Sequence, residues 1–154
     1  MEIYLVQHGE AKSEKEDPER PLTPKGKEKV ESVARYLASC GIEVAEILHS
    51  GRLRARQTAE VFGQYLSPSR GVRQAKGLAP LDDPREAQEL VQAAAKPLMI
   101  VGHLPHLSRL TSLLVLGTAD KEIIKFAMGG VVCLAYSDNT WSIQWALIPE
   151  FAQK

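Results

Sequence analysis

The chain has 154 residues, of which 44% are hydrophobic and 25% are charged. This is the composition of a globular protein, and it excludes a largely disordered chain. Lys and Arg together number 19, as do Asp and Glu, so the formal net charge is zero. Such a balance excludes a broad electrostatic attraction to nucleic acid or to an anionic membrane. Any anion-binding site must therefore be a local cluster of cations.

Cysteine content and the N-terminal segment bear on the compartment. Cys40 and Cys133 lie far apart, which argues against a disulfide scaffold and favours a reducing compartment. The first residues form a strand-like run without the basic and apolar regions of a signal peptide, and no apolar stretch reaches the ~18 residues of a membrane span. We expect a cytoplasmic monomer with a single domain over residues 1–154.

Short apolar runs alternate with longer amphipathic segments along the chain. The predicted strands are Ile3–Val6, Ile47–Ser50, a weak strand at Val72, Leu98–Val101, Val131–Tyr136 and Trp141–Leu147. The predicted helices begin at Thr23-Pro24, Arg52, Asp83-Pro84 and Leu104, and the segment Asp83–Glu86 is predicted to form a capping box. Trp141 and Trp145 are expected on one face of the last strand.

This order of elements is typical of an α/β sandwich with a mostly parallel sheet. Ligands of such sheets bind beyond the carboxyl ends of the strands. His8, His49 and His103 lie at or beside those ends, and His8 and His103 each have a neighbouring glycine. A glycine lets the backbone approach a ligand closely. We therefore predict that His8 and His103 face one site.

Arginines supply the positive charge that an anion site needs. Arg52, Arg54 and Arg56 lie at the start of the second predicted helix, where at most two of them can face the site. Arg20 precedes the first predicted helix. Solvated arginines are the ordinary alternative for each of these residues. Guanidinium groups suit bidentate binding of phosphate, so arginines and histidines at strand ends indicate phosphoryl chemistry.

Four segments, in the same order, resemble motifs of the histidine phosphatase superfamily. LVQHGEA at Leu5–Ala11 resembles its Arg-His-Gly motif, and RPLT at Arg20–Thr23 resembles the next one. SGRLRARQTA at Ser50–Ala59 resembles Ser-Pro-x-x-Arg-Ala-x-Gln-Thr-Ala, and GHLP at Gly102–Pro105 resembles the block around the second catalytic histidine. The length and the last block are similar to the short SixA-like phosphohistidine phosphatases. The resemblance implies a three-layer, phosphoglycerate mutase-like α/β fold.

The resemblance also implies roles for individual residues. His8 would be the nucleophile that accepts the phosphoryl group, and Arg54 and His103 would complete the catalytic set. The implied phosphate contacts are Gln7, Gly9 and Arg20. A histidine nucleophile must be neutral at its attacking nitrogen, and its other nitrogen needs an acceptor, for which a backbone carbonyl beside Gly9 is a candidate. The implied enzyme is a metal-independent phosphatase without a cofactor, acting on phosphohistidine in a protein partner.

Two features depart from the family pattern. Gln7 stands where the motif has arginine, and losing a charge-assisted contact costs about 1.5–3 kcal/mol unless another group, for which Arg52 is a candidate, replaces it. A general acid is the second open point, with Asp82, Asp83 and Glu10 as weak candidates. A weak acid favours phosphohistidine over esters, because imidazole leaves more readily than an alkoxide.

Other functions stay open at this point. One is a phosphatase of small phosphate esters, and another is a module that binds phosphorylated partners without turnover. A metal-dependent hydrolase is the least favoured, because His103 and His106 give only two ligands of a set. We expect His106 at the pocket rim, His49 packed in the core, and Ser50 as a cap of the second helix. The charged loop Lys12–Arg20 is a candidate docking surface for a protein partner.

Overall fold

The structure, a computed structural model, describes residues 1–152. Its strands are β1 (Glu2–Gln7), β2 (Glu46–His49), β3 (Val72–Gln74), β4 (Leu98–Gly102), β5 (Val131–Ser137) and β6 (Thr140–Leu147). Its helices are α1 (Pro24–Ser39), α2 (Leu53–Leu66), α3 (Pro84–Ala93) and α4 (His106–Leu116), followed by a short 3-10 helix at Pro149–Phe151. Each predicted strand and helix is confirmed, with shifts of one or two residues at most ends.

The six strands form one sheet in the order β3-β2-β4-β1-β5-β6. β3, β2, β4 and β1 run parallel, and β5 and β6 add an antiparallel hairpin at one edge. Met99 and Val101 of β4 point into a core shared with α1 and α2, whereas Ile100 points into a second core shared with α3 and α4. The sheet therefore lies between two helical layers, which confirms the predicted α/β sandwich.

Helix starts follow the predicted capping residues, with one difference. The hydroxyl of Thr23 accepts a hydrogen bond from the backbone of Gly26, at 2.9 Å, where α1 begins. At α3, the carboxylate of Asp83 accepts from the backbone N–H of Arg85 and also pairs with its guanidinium at 2.8 Å. The predicted capping box is wrong, because the side chain of Glu86 packs against Gly77 instead of returning to the start of the helix.

A β-bulge changes the faces of the last strand. Cys133 pairs with Trp145 but its neighbour Leu134 pairs with Ile143, so Gln144 is an extra residue in β6. An extra residue reverses the alternation of side chains beyond it. Trp145 therefore packs with the core under α1 and α2, and Trp141 packs with the opposite core. The prediction that both rings share one face is wrong for this reason.

Cys40 is exposed and Cys133 is buried, and neither forms a disulfide. Among residues 1–152, no helix has the length and apolar character required to cross a membrane.

Candidate active site

The carboxyl ends of three neighbouring strands place His8, Ser50 and His103 close together. His8 directly follows β1, His103 follows β4, and Ser50 follows β2. The backbone N–H of His8 donates to the carbonyl of Gly102 at 3.0 Å, which ties the end of β1 to the end of β4. The rings of His8 and His103 have centroids 5.1 Å apart and are tilted by 55°. The structure thus brings the two predicted histidines into one site.

A backbone carbonyl fixes the tautomer of His8. Its Nδ1 lies 2.7 Å from the carbonyl oxygen of Gly9. Because a carbonyl can only accept, Nδ1 must carry the proton and Nε2 must carry the free electron pair. The backbone N–H of Gly9 donates to the hydroxyl of Thr58 at 3.0 Å, and this hydroxyl donates to the carbonyl of Arg54 at 2.8 Å. The expected acceptor is therefore present, and it is the carbonyl of Gly9 itself.

Burial keeps both histidines neutral near pH 7. It lowers the pKa of His8 to about 4, against the opposing effect of the Gly9 carbonyl and with further lowering by the charges of Arg54 and Arg20. Burial also lowers the pKa of His103 to about 3, helped by His8 at acidic pH, where that ring is protonated, and by the charge of Arg54. A neutral His8 with a free Nε2 is the protonation state that nucleophilic attack requires.

Ser50 contacts His103 and does not cap α2 through its side chain. The hydroxyl of Ser50 lies 2.7 Å from Nε2 of His103. The N-cap position of α2 is occupied by Arg52, whose backbone N–H approaches the same hydroxyl at 3.3 Å. Sequence reasoning missed this contact. The available signal was the position of Ser50 directly after β2, a strand that neighbours β4 in a parallel sheet.

Arg54 and Arg20 form a cluster of positive charge beside the histidines. Nε of Arg54 is buried and has no hydrogen-bond partner within residues 1–152. Burial lowers the pKa of Arg54, and the positive charges of Arg20 and Arg52 lower it further. Arg56 instead makes an ion pair with Glu60 at 3.9 Å, away from this cluster. Such a cluster favours a bound anion.

A closed loop holds Arg20 in place. Arg20 has a backbone φ of 51°, in the left-handed region, and its Nε donates to the carbonyl of Lys12 at 3.0 Å. The backbone N–H of Lys12 in turn donates to the carbonyl of Pro21 at 2.8 Å. These bonds close the charged loop Lys12–Arg20 on itself, so the guanidinium of Arg20 is positioned before any ligand arrives.

Gln7 has a fixed backbone and a free side chain. Its backbone pairs with Gly102 of β4, and its carbonyl accepts from Gly129 at 2.8 Å. Its side-chain amide has no hydrogen-bond partner in the part of the chain that the structure describes. An amide in this position can donate to an anion but brings no charge.

The three candidate acids are engaged in local hydrogen bonds. The carboxylate of Glu10 accepts from the hydroxyl of Thr23 at 2.7 Å, and that of Asp82 accepts from the backbone of Ala79 at 3.0 Å. Asp83 is held by Arg85 at the start of α3. Of the three, Asp82 shares with Ser50 the wall of a cavity of about 300 Å³.

His106 and His49 are both buried. The prediction that His106 lies at the pocket rim is wrong, because the ring is fully buried and neither nitrogen has a partner of good geometry. His49 is packed, as predicted, and its Nδ1 accepts from the backbone of Gly51 at 3.1 Å. Residues 1–152 contain no cluster of three or more His, Cys, Asp or Glu side chains that could hold a metal ion.

Known sequences resemble this chain over most of its length. The profile of the histidine phosphatase superfamily (branch 1) matches residues 3–82. An uncharacterised protein of Picosynechococcus sp. is 33% identical, over 90% of this chain and 92% of its own. Phosphohistidine phosphatase SixA of Escherichia coli is 25% identical, over 97% of this chain and 94% of its own.

Solved structures share the fold. The protein histidine phosphatase SixA complexed with tungstate superposes with a TM-score of 0.87 at 24% identity, covering 99% of this chain and 100% of that one. A putative alpha-ribazole-5'-P phosphatase from Escherichia coli superposes with a TM-score of 0.79 at 16% identity, covering 97% and 98%. The phosphoglycerate mutase-like fold class is thereby confirmed. The chain belongs to the histidine phosphatase superfamily, branch 1, and within it to the SixA-like group.

Proposed function

We propose that this protein is a metal-independent phosphatase that removes the phosphoryl group from phosphohistidine in a protein partner through an intermediate on His8. The observation that carries the proposal is the 2.7 Å hydrogen bond from Nδ1 of His8 to the Gly9 carbonyl, because it leaves Nε2 free for attack. Similarity to the phosphohistidine phosphatase SixA supports the substrate class. The protein acts as a single catalytic domain over residues 1–154.

In the first step, the electron pair on Nε2 of His8 attacks the phosphorus atom. The Nε2–P bond forms as the N–P bond of the substrate breaks, and the departing imidazole keeps that electron pair and takes a proton from solvent. Negative charge is spread over the three equatorial oxygens of the transferring group. Arg54 and Arg20 stabilise this charge from positions that are set before the reaction begins.

His103 donates a hydrogen bond to the transferring phosphoryl group. Its ring is neutral in the free protein, and a bound dianion raises its pKa because opposite charges favour the protonated form. Gln7 donates to an oxygen of the same group through its amide. Both polar backbone groups of Gly9 are already bonded within the protein, so Gly9 orients His8 in place of contacting phosphate.

Hydrolysis of the intermediate completes the cycle. Water attacks the phosphorus atom of phosphorylated His8, the Nε2–P bond breaks with its electron pair returning to Nε2, and inorganic phosphate leaves. The positive charge comes from arginines, so the proposed activity persists in the presence of a metal chelator. No acid is needed for the imidazole leaving group, which fits the engagement of Glu10 and Asp83 in other bonds.

A phosphatase of small phosphate esters is the second candidate. The observation in its favour is the cavity of about 300 Å³ that Asp82 shares with Ser50 beside His103. An alkoxide leaving group needs an acid, and in this second candidate function Asp82 would supply it. Replacing Asp82 by Asn would then abolish turnover of an alkyl phosphate such as glycerol phosphate at its pH optimum and spare phosphohistidine.

The deciding experiment measures phosphate release from a protein that carries phosphohistidine, with chelator present. Wild type is compared with His8→Asn, which removes the nucleophile and puts a polar side-chain amide in place of the ring, and with Gln7→Arg. Release by wild type and its loss in His8→Asn supports the proposal. Release by Gln7→Arg alone would mean that the glutamine has lowered the activity of an intact site. If none of the three proteins releases phosphate but all still bind the phosphoprotein, a binding module would be favoured.

A further inference from the structure

We propose that Arg52 binds the phosphoryl group and supplies the positive charge that Gln7 does not. This inference deepens the proposed function, since it concerns the same site, but it can be tested by anion binding alone. It assigns a phosphate-binding role to a residue at a position that the superfamily motif leaves open. Its support comes from the turn between β2 and α2, from the free side chain of Arg52 and from the charges around it.

The backbone of the turn before α2 differs from the one that the superfamily motif implies. Gly51 has a backbone φ of 92°, in the left-handed region. The motif that this segment resembles has proline here, and a proline ring holds φ near about −65°. A Cβ atom at Gly51 would also lie 2.6 Å from the amide of Gln74. Glycine is therefore required at this point, and the chain enters α2 along a path that proline cannot follow.

Hydrogen bonds join this turn to the catalytic histidine. The backbone N–H of Arg52 lies 3.3 Å from the hydroxyl of Ser50, and that hydroxyl lies 2.7 Å from Nε2 of His103. The hydroxyl of Ser50 thus links the backbone of Arg52 to the ring of His103, which lies beside His8. Arg52 occupies the N-cap of α2 with an extended backbone, φ −65° and ψ 139°, two residues before Arg54.

The guanidinium of Arg52 has no partner of its own. In the described part of the chain it makes neither an ion pair nor a hydrogen bond, whereas Arg56 on the same helix pairs with Glu60. Its charge nevertheless acts on the site, because it lowers the pKa of both Arg54 and His103. Because Arg52 is repelled by the other arginines and has no ion-pair partner, a bound anion would stabilise its charge more than it would stabilise a paired arginine.

A phosphoryl dianion is the ligand that fits this arrangement. Guanidinium groups bind phosphate oxygens through paired hydrogen bonds, and they remain charged when buried. Arg54 and Arg20 already offer two such groups, and Gln7 offers only a neutral amide. With Arg52 the site recovers a third positive charge.

The test is a double-mutant cycle read by isothermal titration calorimetry with inorganic phosphate. Arg52→Gln should weaken phosphate binding about tenfold or more, the size expected for one charge-assisted contact. In the Gln7→Arg background the same change should cost less than about threefold, because the restored arginine supplies the missing charge. Arg52→Lys should retain part of the affinity. Arg56→Gln, a matched change on the same helix, should stay within about twofold of wild type.

Several outcomes would overturn the inference. The first is an equal phosphate affinity of Arg52→Gln and Arg56→Gln. The second is a loss of affinity in Arg52→Gln that is the same with and without Gln7→Arg. The third is a wild-type protein that binds no phosphate. Turnover measured beside binding separates the two proposals. Arg52-dependent binding without turnover would refute the proposed function alone, and turnover with no effect of Arg52 on binding would refute this inference alone.

Discussion

At the scale of single residues, the chemistry of His8 depends on groups that are not themselves reactive. The Gly9 carbonyl sets the tautomer of the ring, and the hydroxyl of Thr58 holds the Gly9 N–H while donating to Arg54. Thr58 is fully buried and so connects the nucleophile to an arginine of the site. It is a positioning residue, because it acts through the backbone of its neighbours.

We expect Thr58→Val to damage stability and catalysis together. Valine keeps the shape of threonine but leaves the buried N–H of Gly9 without an acceptor, at a cost of about 1–3 kcal/mol in the free energy of unfolding. The carbonyl of Gly9 would no longer be held against Nδ1, so kcat should fall more than KM changes. Urea unfolding and phosphate release measure the two effects. Thr58→Ser keeps the hydroxyl and is the control, and equal behaviour of the two variants would contradict this role.

Residue identity alone indicated some of these roles and missed others. His8 and His103 could be paired from the sequence, because both follow apolar runs that end in a common sheet edge. The contact of Ser50 with His103 could not, since it depends on which strand lies beside β4. The burial of His106 could not either, because it depends on how the segment that includes Gly77 and Asp82 covers the start of α4.

At the scale of elements, periodicity predicted the strands and helices well but not their fine register. The continuous apolar run Leu98–Val101 identified β4, a strand that is buried on both faces. One extra residue at Gln144 reversed the faces of the following part of β6, and no pattern of hydrophobic residues marks such a bulge. The order of the strands across the sheet also lay beyond the sequence, because pairing is a long-range property.

The loop Lys12–Arg20 brings negative charge to the site, and this gives a prediction. Burial and the charges of Arg20 and Arg52 lower the pKa of Arg54, and Glu14 opposes them, so its carboxylate acts on the same guanidinium that binds phosphate in our proposal. Glu14→Gln should therefore tighten the binding of inorganic phosphate about two- to fivefold, the range of an exposed charge pair. The gain should fade at high salt, where exposed charges are screened.

Glu19→Gln is the matched control within the same loop. It removes one negative charge from an exposed residue whose charge does not affect the pKa of Arg54. Calorimetry at low and high salt compares the two variants. Equal affinities for Glu14→Gln and Glu19→Gln would show that the loop acts only through its overall charge. Free phosphate is used because a phosphoprotein would also report docking on this loop.

At the scale of the whole molecule, balanced composition conceals an uneven distribution of charge. The chain carries no net charge, yet Arg20, Arg52 and Arg54 act on one another at a single edge of the sheet. Their neighbours His8 and His103 are buried and neutral. We therefore expect the protein to bind anions locally without attracting polyanions over its surface.

Burial of histidines also links stability to pH. The pKa values of His8, His49, His103 and His106 are all lowered in the folded protein. Between the ordinary histidine value of about 6.5 and these lower values, the unfolded chain binds more protons than the folded one. The free energy of unfolding should therefore fall as the pH drops from 7 towards 5. Asp83 and Glu150 have lowered pKa values and lose their contribution only at more acidic pH.

His106 allows this linkage to be measured at one position. Burial lowers its pKa, Asp82 and the Gly77 carbonyl oppose that effect, and Arg109 adds to it. Leucine at this position would bury no polar atoms, so His106→Leu should raise the free energy of unfolding at pH 7 by about 1–3 kcal/mol. His106→Leu should also reduce the decrease in the free energy of unfolding between pH 7 and pH 5, by at most about 1.4 kcal/mol per pH unit. Urea unfolding at both pH values tests this. An unchanged loss in the variant would mean that His106 takes up no proton on unfolding.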